Sequence, residues 1–428
     1  FTAMMLAATI LVILLAVYAL VRELDVRLVL FSAGLALALI AAEPLVDFDE
    51  FLKEMGNGKT IGPICSAMGY AWVLRATGCD QAMVRLLLAP TRRIRWLLIP
   101  AGCAVGFVTN IAITSQTASA AAVGPILVPL MLAAGYSPVV AAATLVLGCS
   151  GGGSLFNPGD ADLVAIQENS QAPMHMALQA MFAPLVSGFA AAVVVFAVWS
   201  RRQPATVAAA APEERKPLEW SKALLPPLPI LLIFLMLPGV FFPVLPAPFE
   251  KGLPVSHAMI FATMVVLAVH RRNVSQQVKS FFEGMGYAYM NVISLIVTSS
   301  CFIRGLTATG MTEKLVHVVS STGALGKAAA GLFPGLLGVI SGSGIGPSVA
   351  FAKAVLPALR ENVPLALDLG SLAAIAASFG RTMSPVAAVV VFSATLSGVS
   401  TWALIRRVAP VLVTGYVVVL LVVLARGN

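Results

Sequence analysis

One arginine lies in the middle of a long apolar stretch of this sequence. Between Pro364 and Gly398, a run of 35 residues, only Asp368 and Arg381 are charged. An ionisable group inside such a stretch is costly and usually marks the path of a ligand or an ion. The planar guanidinium of arginine matches the two oxygens of a carboxylate. Arg381 is therefore a candidate for binding a carboxylate anion.

Segments rich in glycine or in hydroxyl side chains interrupt four apolar regions of the chain. They are "TSQT" (114–117), "CSGGGSLFNPGD" (149–160), "SGSGIG" (341–346) and "SFGRTMSPV" (378–386). Backbone that lacks helical hydrogen bonds is tolerated within a membrane only where protein or a water-filled cavity surrounds it. We therefore expect the four breaks to meet at a central site.

Residues typical of helix starts follow each break. Asn157 and Ser384 each precede a proline, which predicts a side-chain cap and then proline at the first helical position, where its missing N–H has no cost. Pro347 follows the third break in the same way, and Thr117 could cap the helix after the first. A helix start offers free N–H groups and a partial positive charge, which suit an anion.

Side chains that could hold an anion are concentrated at these breaks. The predicted substrate-binding residues are Thr114, Ser115, Gln116, Thr117, Ser154, Asn157, Ser341, Ser343, Arg381, Thr382 and Ser384, with Asn110 as a further partner. The glycines expected to break the helices and to let a ligand approach the backbone are Gly151, Gly152, Gly153, Gly342, Gly344 and Gly380.

Other interpretations of the same residues stay open at this point. Glycine and serine in membrane segments often serve close helix packing, and Arg381 could pair with a structural acid, namely Asp368, Asp160 or Asp162. Asp160 and Asp162 could bind a coupling Na⁺ or proton, or could only neutralise a helix dipole. Lys353 could line the cavity or extend toward water.

The composition indicates the class of protein. Hydrophobic residues make up 59% of the 428 residues and charged residues 11%, with a mean hydropathy of +0.93, which is typical of an all-α polytopic membrane protein. The formal charge of +8 does not indicate a nucleic-acid partner, because the basic residues lie in short connections. The five cysteines and four histidines are scattered, so neither a metal site nor a cofactor is expected. No constellation of nucleophile, base and metal indicates an enzyme.

Apolar runs predict eight spans, near 3–21, 28–45, 59–77, 176–199, 225–245, 256–270, 284–303 and 403–425. The prediction also contains two re-entrant hairpins, about 96–134 and 327–359, and two helices broken at the midplane, about 137–167 and 364–398. "GSLFNP" and "GRTMSP" match at an offset of 227 residues, so we expect two repeats, 1–199 and 223–428, joined by a linker at 200–222. Five spans and one hairpin per repeat would invert the two copies in the bilayer, which is a carrier architecture.

The linker is predicted to be cytoplasmic. In that orientation 17 Lys and Arg lie in inside segments and 8 in outside segments, as the positive-inside rule requires. The first apolar run is long enough to span and does not read as a cleavable signal peptide.

Several of these stretches carry a family resemblance. "GRTMSPVAAVVV" (380–391), "SGSGIGPSVAF" (341–351), "PGDADLVAIQ" (158–167) and "RRVAPVLV" (406–413) resemble the DcuC-type family of bacterial C4-dicarboxylate carriers. The resemblance implies an inner-membrane secondary carrier of succinate, fumarate or malate within the ion-transporter superfamily. It also implies a scaffold domain, a transport domain of hairpins and broken helices with elevator-like motion, and a homodimer in the lipid bilayer.

The hairpin tips depart from the wider superfamily. Sodium-coupled dicarboxylate members carry Ser-Asn-Thr at both tips, whereas this chain has "TSQT" and "SGSG". Arg381 could therefore take the place of a bound cation beside the substrate, and coupling to Na⁺ or to H⁺ stays open. The alternative functions are a carrier for another organic anion and a cation/proton antiporter that depends on Asp160 or Asp162.

Overall fold

The computed structural model describes residues 3–22, 24–89, 97–201, 219–236, 252–312 and 324–426. Within these ranges the regular structure is helical throughout. The helices before the linker are α1 (Ala3–Val21), α2 (Val26–Ile40), α3 (Val46–Met55), α4 (Gly58–Thr77), α5 (Cys79–Leu88), α6 (Leu98–Ala112), α7 (Gln116–Ala133), α8 (Pro138–Ser150), α9 (Ala161–Ser170) and α10 (Met174–Arg201).

The second half of the chain continues the helical pattern. Its helices are α11 (Trp220–Ala223), α12 (Leu228–Leu235), α13 (Val255–Val269), α14 (Val274–Ala288), α15 (Ser294–Ala308), α16 (Ala324–Ser341), α17 (Ile345–Val355), α18 (Val363–Thr382), α19 (Ala388–Ser397) and α20 (Thr401–Ala425). A π-helical turn at Tyr289–Ile293 joins α14 to α15 in one continuous rod.

Six stretches in the described part are long and apolar enough to cross a membrane: 116–133, 138–170, 174–200, 274–308, 363–382 and 401–425. Seven shorter apolar helices accompany them. The prediction of an all-helical, multi-span chain is therefore confirmed. The predicted span 225–245 begins with α12, and its part beyond residue 236 lies outside the described residues, as does most of the linker.

Helices α3 and α5 lie outside every predicted apolar run. Each has ten residues and carries charges, with Asp47 and Asp49 in the first turn of α3 and Asp80 in that of α5. Both are amphipathic connections, which a search for 20-residue apolar runs passes over.

The helix pairs α6–α7 and α16–α17 lie in the regions where hairpins were predicted. In the regions predicted for the broken helices, the chain forms two pairs of consecutive helices. The first consists of α8 and α9, separated by a break that includes a 3-10 turn at Gly153–Phe156. The second consists of α18 and α19, separated by residues 383–387. These broken helices are the most buried elements, since α8 is buried along nearly its whole length and α18 from Ala366 to Thr382.

Glycines set the closest helix contacts. A Cβ on Gly380 of α18 would lie 2.0 Å from the carbonyl oxygen of Gly335 on α16, and one on Gly106 of α6 would lie 2.7 Å from the carbonyl carbon of Gly148 on α8. Backbones approach this closely only where small residues face each other. Each hairpin is therefore fixed against the first segment of a broken helix.

The second arms of the hairpins pack across the two halves. Helix α7 lies against α19, and α17 lies against α9. Each broken helix is thus covered by both hairpins, and the four breaks predicted from the sequence lie in one region of the fold.

Candidate functional site

Arg381 lies in the last turn of α18 and not in the break. The prediction that the break at "SFGRTMSPV" includes Arg381 was wrong, because helical hydrogen bonds persist to the N–H of Met383, which bonds to the carbonyl of Phe379 at 3.0 Å. The helix ends one residue after Arg381, where its C-terminal dipole favours a cation. The Arg381 side chain is only 7% exposed.

The guanidinium of Arg381 is incompletely bonded. Its Nη2 donates to Ser378 Oγ at 3.0 Å, whereas its Nε is buried without a partner. Its Nη1 lies 3.2 Å from the position that a Cβ would occupy on Gly344, at the tip of the second hairpin. Because an unpaired buried donor is costly, the free Nε is available to donate a hydrogen bond to a ligand.

The predicted acidic partners of Arg381 divide into two groups. Asp368 pairs with Arg426 (Nη1 to Oδ1, 2.8 Å) and faces Lys327 (Nζ to Oδ2, 3.9 Å), so the interpretation that Asp368 neutralises Arg381 was wrong. Asp160 and Asp162 are both buried and act electrostatically on Arg381. No described carboxylate lies within 4.0 Å of the Arg381 nitrogens.

A pair of hydroxyls joins the two broken helices next to Arg381. Thr382 Oγ1 lies 2.7 Å from Ser150 Oγ. It is also within hydrogen-bond distance of the carbonyl oxygens of Ser150 (2.8 Å) and Ser378 (2.7 Å). Thr382 and Ser150 are fully buried. The end of α8 and the end of α18 are therefore in direct contact.

The tip of the first hairpin is bonded to the first break. The Asn110 Oδ1 accepts from the Ser154 N–H at 2.9 Å, Gln116 Nε2 donates to Ser154 Oγ at 3.2 Å, and Asn157 Nδ2 donates to the Ile111 carbonyl at 2.7 Å. Gln116, Ser154 and Asn157 thus come together as predicted, although their amide and hydroxyl groups already have partners.

The tip of the second hairpin is bonded mainly to itself. Ser341 Oγ donates to the Leu337 carbonyl at 2.7 Å and accepts from the Ser343 N–H at 3.2 Å. Gly342 has a φ of +67°, which only glycine adopts without strain. Ser341, Gly342 and Ser343 are half-buried.

The predicted helix caps need correction. Asp160, and not Asn157, caps α9, since its Oδ1 accepts from the Asp162 N–H at 3.0 Å. Asn157 Oδ1 instead accepts from Gly159 within the break, at 2.8 Å. Ser115, and not Thr117, caps α7 by accepting from the Ala118 N–H. Helix α19 begins at Ala388, beyond Ser384, and has no side-chain cap.

Two uncapped helix starts flank the arginine. Helix α17 begins after Gly344 and α19 after Ala387, and neither start receives a side-chain hydrogen bond. Ser384, just before α19, is fully buried, and its Oγ has no partner in the described part of the chain. The orphan N–H groups, this hydroxyl and the free Nε of Arg381 are all donors, so the arrangement suits an anion.

The predicted glycines have two different roles. Gly152 (φ +98°) and Gly342 adopt the left-handed conformation and open their helices, as expected. Gly153 lies against the carbonyl of Phe107, and Gly151 against the ring of Phe189. The prediction that Gly380 breaks a helix was wrong, since it lies inside α18 and packs on Gly335; the alternative interpretation of close packing holds there.

Three functional side chains escaped the sequence prediction. Ser378 holds Arg381, Ser150 meets Thr382, and Ser348 of α17 donates to the Asp162 carboxylate. Ser378 stands one turn before Arg381, which is a usable signal. The partners of Ser150 and Ser348 are 232 and 186 residues away in the sequence, and nothing local indicates them.

Lys353 neither lines the predicted cavity at the breaks nor extends into water. Its Nζ forms an ion pair with Glu54 Oε2 at 2.8 Å and donates to Ser300 Oγ at 2.6 Å. It joins α17 to α3 and α15.

Two solved transporter structures share this fold. MtrF of Neisseria gonorrhoeae, described as one of a class of antimetabolite efflux pumps, matches with a TM-score of 0.60 at 14% identity, over 90% of this chain and 85% of MtrF. The YdaH transporter of Alcanivorax borkumensis matches with a TM-score of 0.60 at 17% identity, over 88% of this chain and 87% of YdaH. The chain therefore has the all-helical, multi-span fold that these two transporters share.

The family follows from sequence comparison. The sequence model of the DcuC family, the C4-dicarboxylate anaerobic carriers, matches residues 45–427, and this chain belongs to that family. The predicted family resemblance is confirmed. Because the family consists of carriers, the expectation that the chain is not an enzyme is also confirmed.

Individual relatives agree with this membership. The anaerobic C4-dicarboxylate transporter DcuC of Escherichia coli K12 is 24% identical over 425 residues, covering 92% of this chain and 90% of its own length. A protein of Vibrio cholerae named a probable anaerobic C4-dicarboxylate transporter DcuC is 27% identical over 398 residues, covering 88% and 84%. An uncharacterized transporter of Haemophilus influenzae is 38% identical over 125 residues, covering 29% and 86%.

Proposed function

We propose that this chain is a secondary carrier of C4-dicarboxylates such as succinate, fumarate and malate across the bacterial inner membrane, with the 200–222 linker in the cytoplasm. The observation that carries the proposal is that the Nε of Arg381 and the hydroxyl of Ser384, three residues further along the chain, are both buried without a partner in the described part of the chain. One substrate carboxylate would bind to Arg381 and Ser384. The uncapped starts of α17 and α19 supply further N–H donors.

The charges near Arg381 favour cation coupling. Asp160 and Asp162 carry two negative charges when ionised, against one positive charge on Arg381. A dicarboxylate would add two more negative charges to a buried site, which is costly without compensation. A proton or a sodium ion bound at Asp160 or Asp162 would supply that compensation.

The packing supports two inverted repeats and elevator-like movement. The contacts of α7 with α19 and of α17 with α9 are equivalent under an exchange of the two halves. In this proposal the hairpins and broken helices form the transport domain and carry the substrate past a scaffold, and the carrier works as a homodimer. Membrane carriers built from such repeats bind substrate where broken helices meet.

Counterflow tests the function. Purified protein is reconstituted into succinate-loaded liposomes, and uptake of labelled succinate is measured for the wild type, Arg381→Gln and Arg381→Lys. We expect uptake by the wild type, none by Arg381→Gln, and little by Arg381→Lys, since lysine lacks the planar fork. Arg271→Gln, at an exposed arginine that has no carboxylate partner among the described residues, is the matched control and should transport normally.

The dependence of succinate uptake on ion gradients identifies the coupled ion. Uptake is measured without sodium, with a sodium gradient and with a proton gradient, and each variant is checked for a single symmetric peak in gel filtration. Normal counterflow by Arg381→Gln would overturn the proposed site. Exchange of cations without any organic anion, lost in Asp160→Asn or Asp162→Asn, would instead establish a cation antiporter.

A further inference from the structure

We propose that a charged cavity away from the central site first binds the incoming dicarboxylate and delivers it to the hairpin tips. This inference rests on the proposed function. The cavity has a volume of about 440 Å³ and lies where α3, α4, α9, α15 and the end of the second hairpin meet. Apart from Ile303, every residue that lines it is charged or polar.

The cavity has an excess of positive charge. Five of its lining residues are basic and three are acidic. Lys53 pairs with Glu50 at 3.1 Å, and Lys353 pairs with Glu54 at 2.8 Å. The third acid, Glu168, accepts hydrogen bonds from Thr60 (2.6 Å) and Asn57 (3.1 Å), which are neutral donors.

Three bases remain without an acidic partner in the described part of the chain. Lys59 and Arg304 make no ion pair there, and Arg360 donates only to the Asn169 carbonyl, at 3.3 Å. All three are exposed. A net excess of one sign of charge in a cleft raises the local concentration of ligands of the opposite sign. The volume is within the range of small-molecule sites.

Two helices connect this cavity to the central site. Lys353 and Ser348 are both on α17, five residues apart, which corresponds to about 7.5 Å of helix rise. Glu168 and Asp162 are both on α9, six residues apart, or about 9 Å. Ser348 and Asp162 bond to each other. An anion in the cavity would therefore lie between one and two helical turns from the acids beside Arg381.

The test measures the local potential without transport. Thr307, an exposed residue of the cavity, is replaced by cysteine as a reporter. The five native cysteines are buried, so background labelling should be slow. In detergent, rates of labelling by an anionic and by a cationic methanethiosulfonate reagent are compared with and without the changes Lys59→Gln, Arg304→Gln and Arg360→Gln combined. Arg271→Gln in the same reporter background is the control.

At low salt we expect the anionic-to-cationic rate ratio to fall roughly tenfold in the triple variant and to be unchanged in the control. High salt should abolish the difference. Millimolar succinate should slow labelling of the reporter in the wild-type background, and the uncharged diamide of succinate should not. A ratio that the triple variant leaves unchanged, or equal protection by sulfate and succinate, would overturn the inference.

Transport separates this inference from the proposed function. The triple variant should raise the KM for succinate counterflow severalfold while the maximal rate stays near that of the wild type. Failure of the wild type to transport succinate would refute the proposed function, and the labelling results would still report whether the cavity attracts dianions. Normal succinate transport with an unchanged KM in the triple variant would refute the delivery role alone.

Discussion

The hydroxyls of Ser150 and Thr382 lie 2.7 Å apart and join the end of α8 to the end of α18. Each residue precedes the break of its own helix, and Thr382 follows Arg381 directly. The contact links the position of the end of α8 to that of the end of α18. Any displacement of α8 would therefore move the guanidinium.

Removing the Thr382 hydroxyl should destabilise this junction. Thr382→Val keeps the branched shape but leaves Ser150 without its buried hydroxyl partner, so we expect the free energy of unfolding to fall by about 1–3 kcal/mol. Thr382→Ser keeps the hydroxyl and is the control. The measurement is the thermal unfolding temperature in detergent, and equal temperatures for Thr382→Val and the wild type would contradict the assigned contact.

Glycine at position 380 should be required for packing. A Cβ there would lie 2.0 Å from the Gly335 carbonyl oxygen, so Gly380→Ala must push α16 away from α18 and should lower both stability and transport. At Gly286, an exposed position of α14, a Cβ would have no neighbouring atom within 4 Å. Gly286→Ala should be neutral or stabilising by up to about 1 kcal/mol. Melting curves of the two variants test this, and the idea fails if Gly380→Ala melts like Gly286→Ala.

The ion pair between Lys353 and Glu54 should be strongly coupled. Both side chains are about nine-tenths buried, so Glu54→Gln leaves a buried ammonium without its carboxylate and should cost roughly 3 kcal/mol. The reversed pair, Glu54→Lys with Lys353→Glu, should recover part of that loss. A double-mutant cycle of unfolding free energies measures the coupling. Additive single changes would show that the pair contributes nothing.

Asp47 should give the protein a pH-dependent stability. Burial, with a further contribution from Glu50, raises the pKa of Asp47 to about 6, and its carboxylate oxygens have no partner among the described residues. The folded state then holds the proton more tightly than the unfolded state. The resulting stabilisation is present below about pH 4 and is lost as the pH rises to about 6.

Asp47→Asn removes this titration. We expect the variant to unfold at a higher temperature than the wild type above pH 6, with the difference disappearing toward pH 4. Asp49→Asn, on the same helix, is the matched control. Parallel curves for the wild type and Asp47→Asn across this range would show that Asp47 does not titrate there.

The sequence was sufficient for much of the fold. Long apolar runs identify spans because a bilayer fixes their length, and glycine or proline within such runs marks a break. The same reasoning overlooked α3 and α5, since their ten residues bury only one face. Arg381 was predicted in a break because Gly380 precedes it, whereas this glycine lies inside α18 and packs on Gly335, a residue 45 positions away that no local pattern indicates.

The site was harder to predict than the fold. Residue types at the breaks identified Arg381, Ser154 and Gln116 as members of polar clusters. The predicted cap at Asn157 failed because its Oδ1 accepts from the Gly159 N–H within the break, while its Nδ2 donates to Ile111 of the first hairpin. Which donors stay unpaired, such as the Nε of Arg381, depends on how the two hairpins and the two broken helices pack together.

The two hairpin tips differ in how they are held. Three side-chain bonds tie the first tip to the adjacent break, whereas the serines of the second tip bond only within their own hairpin. Opening the second tip breaks fewer hydrogen bonds, so the second tip should open more readily than the first. When any coupled ion has the same concentration on both sides and no membrane potential is present, the ratio of the maximal rate to the half-saturation constant must be equal in both directions. A difference between the two tips would therefore change the maximal rate and the half-saturation constant together. The side with the lower half-saturation constant would also have the lower maximal rate.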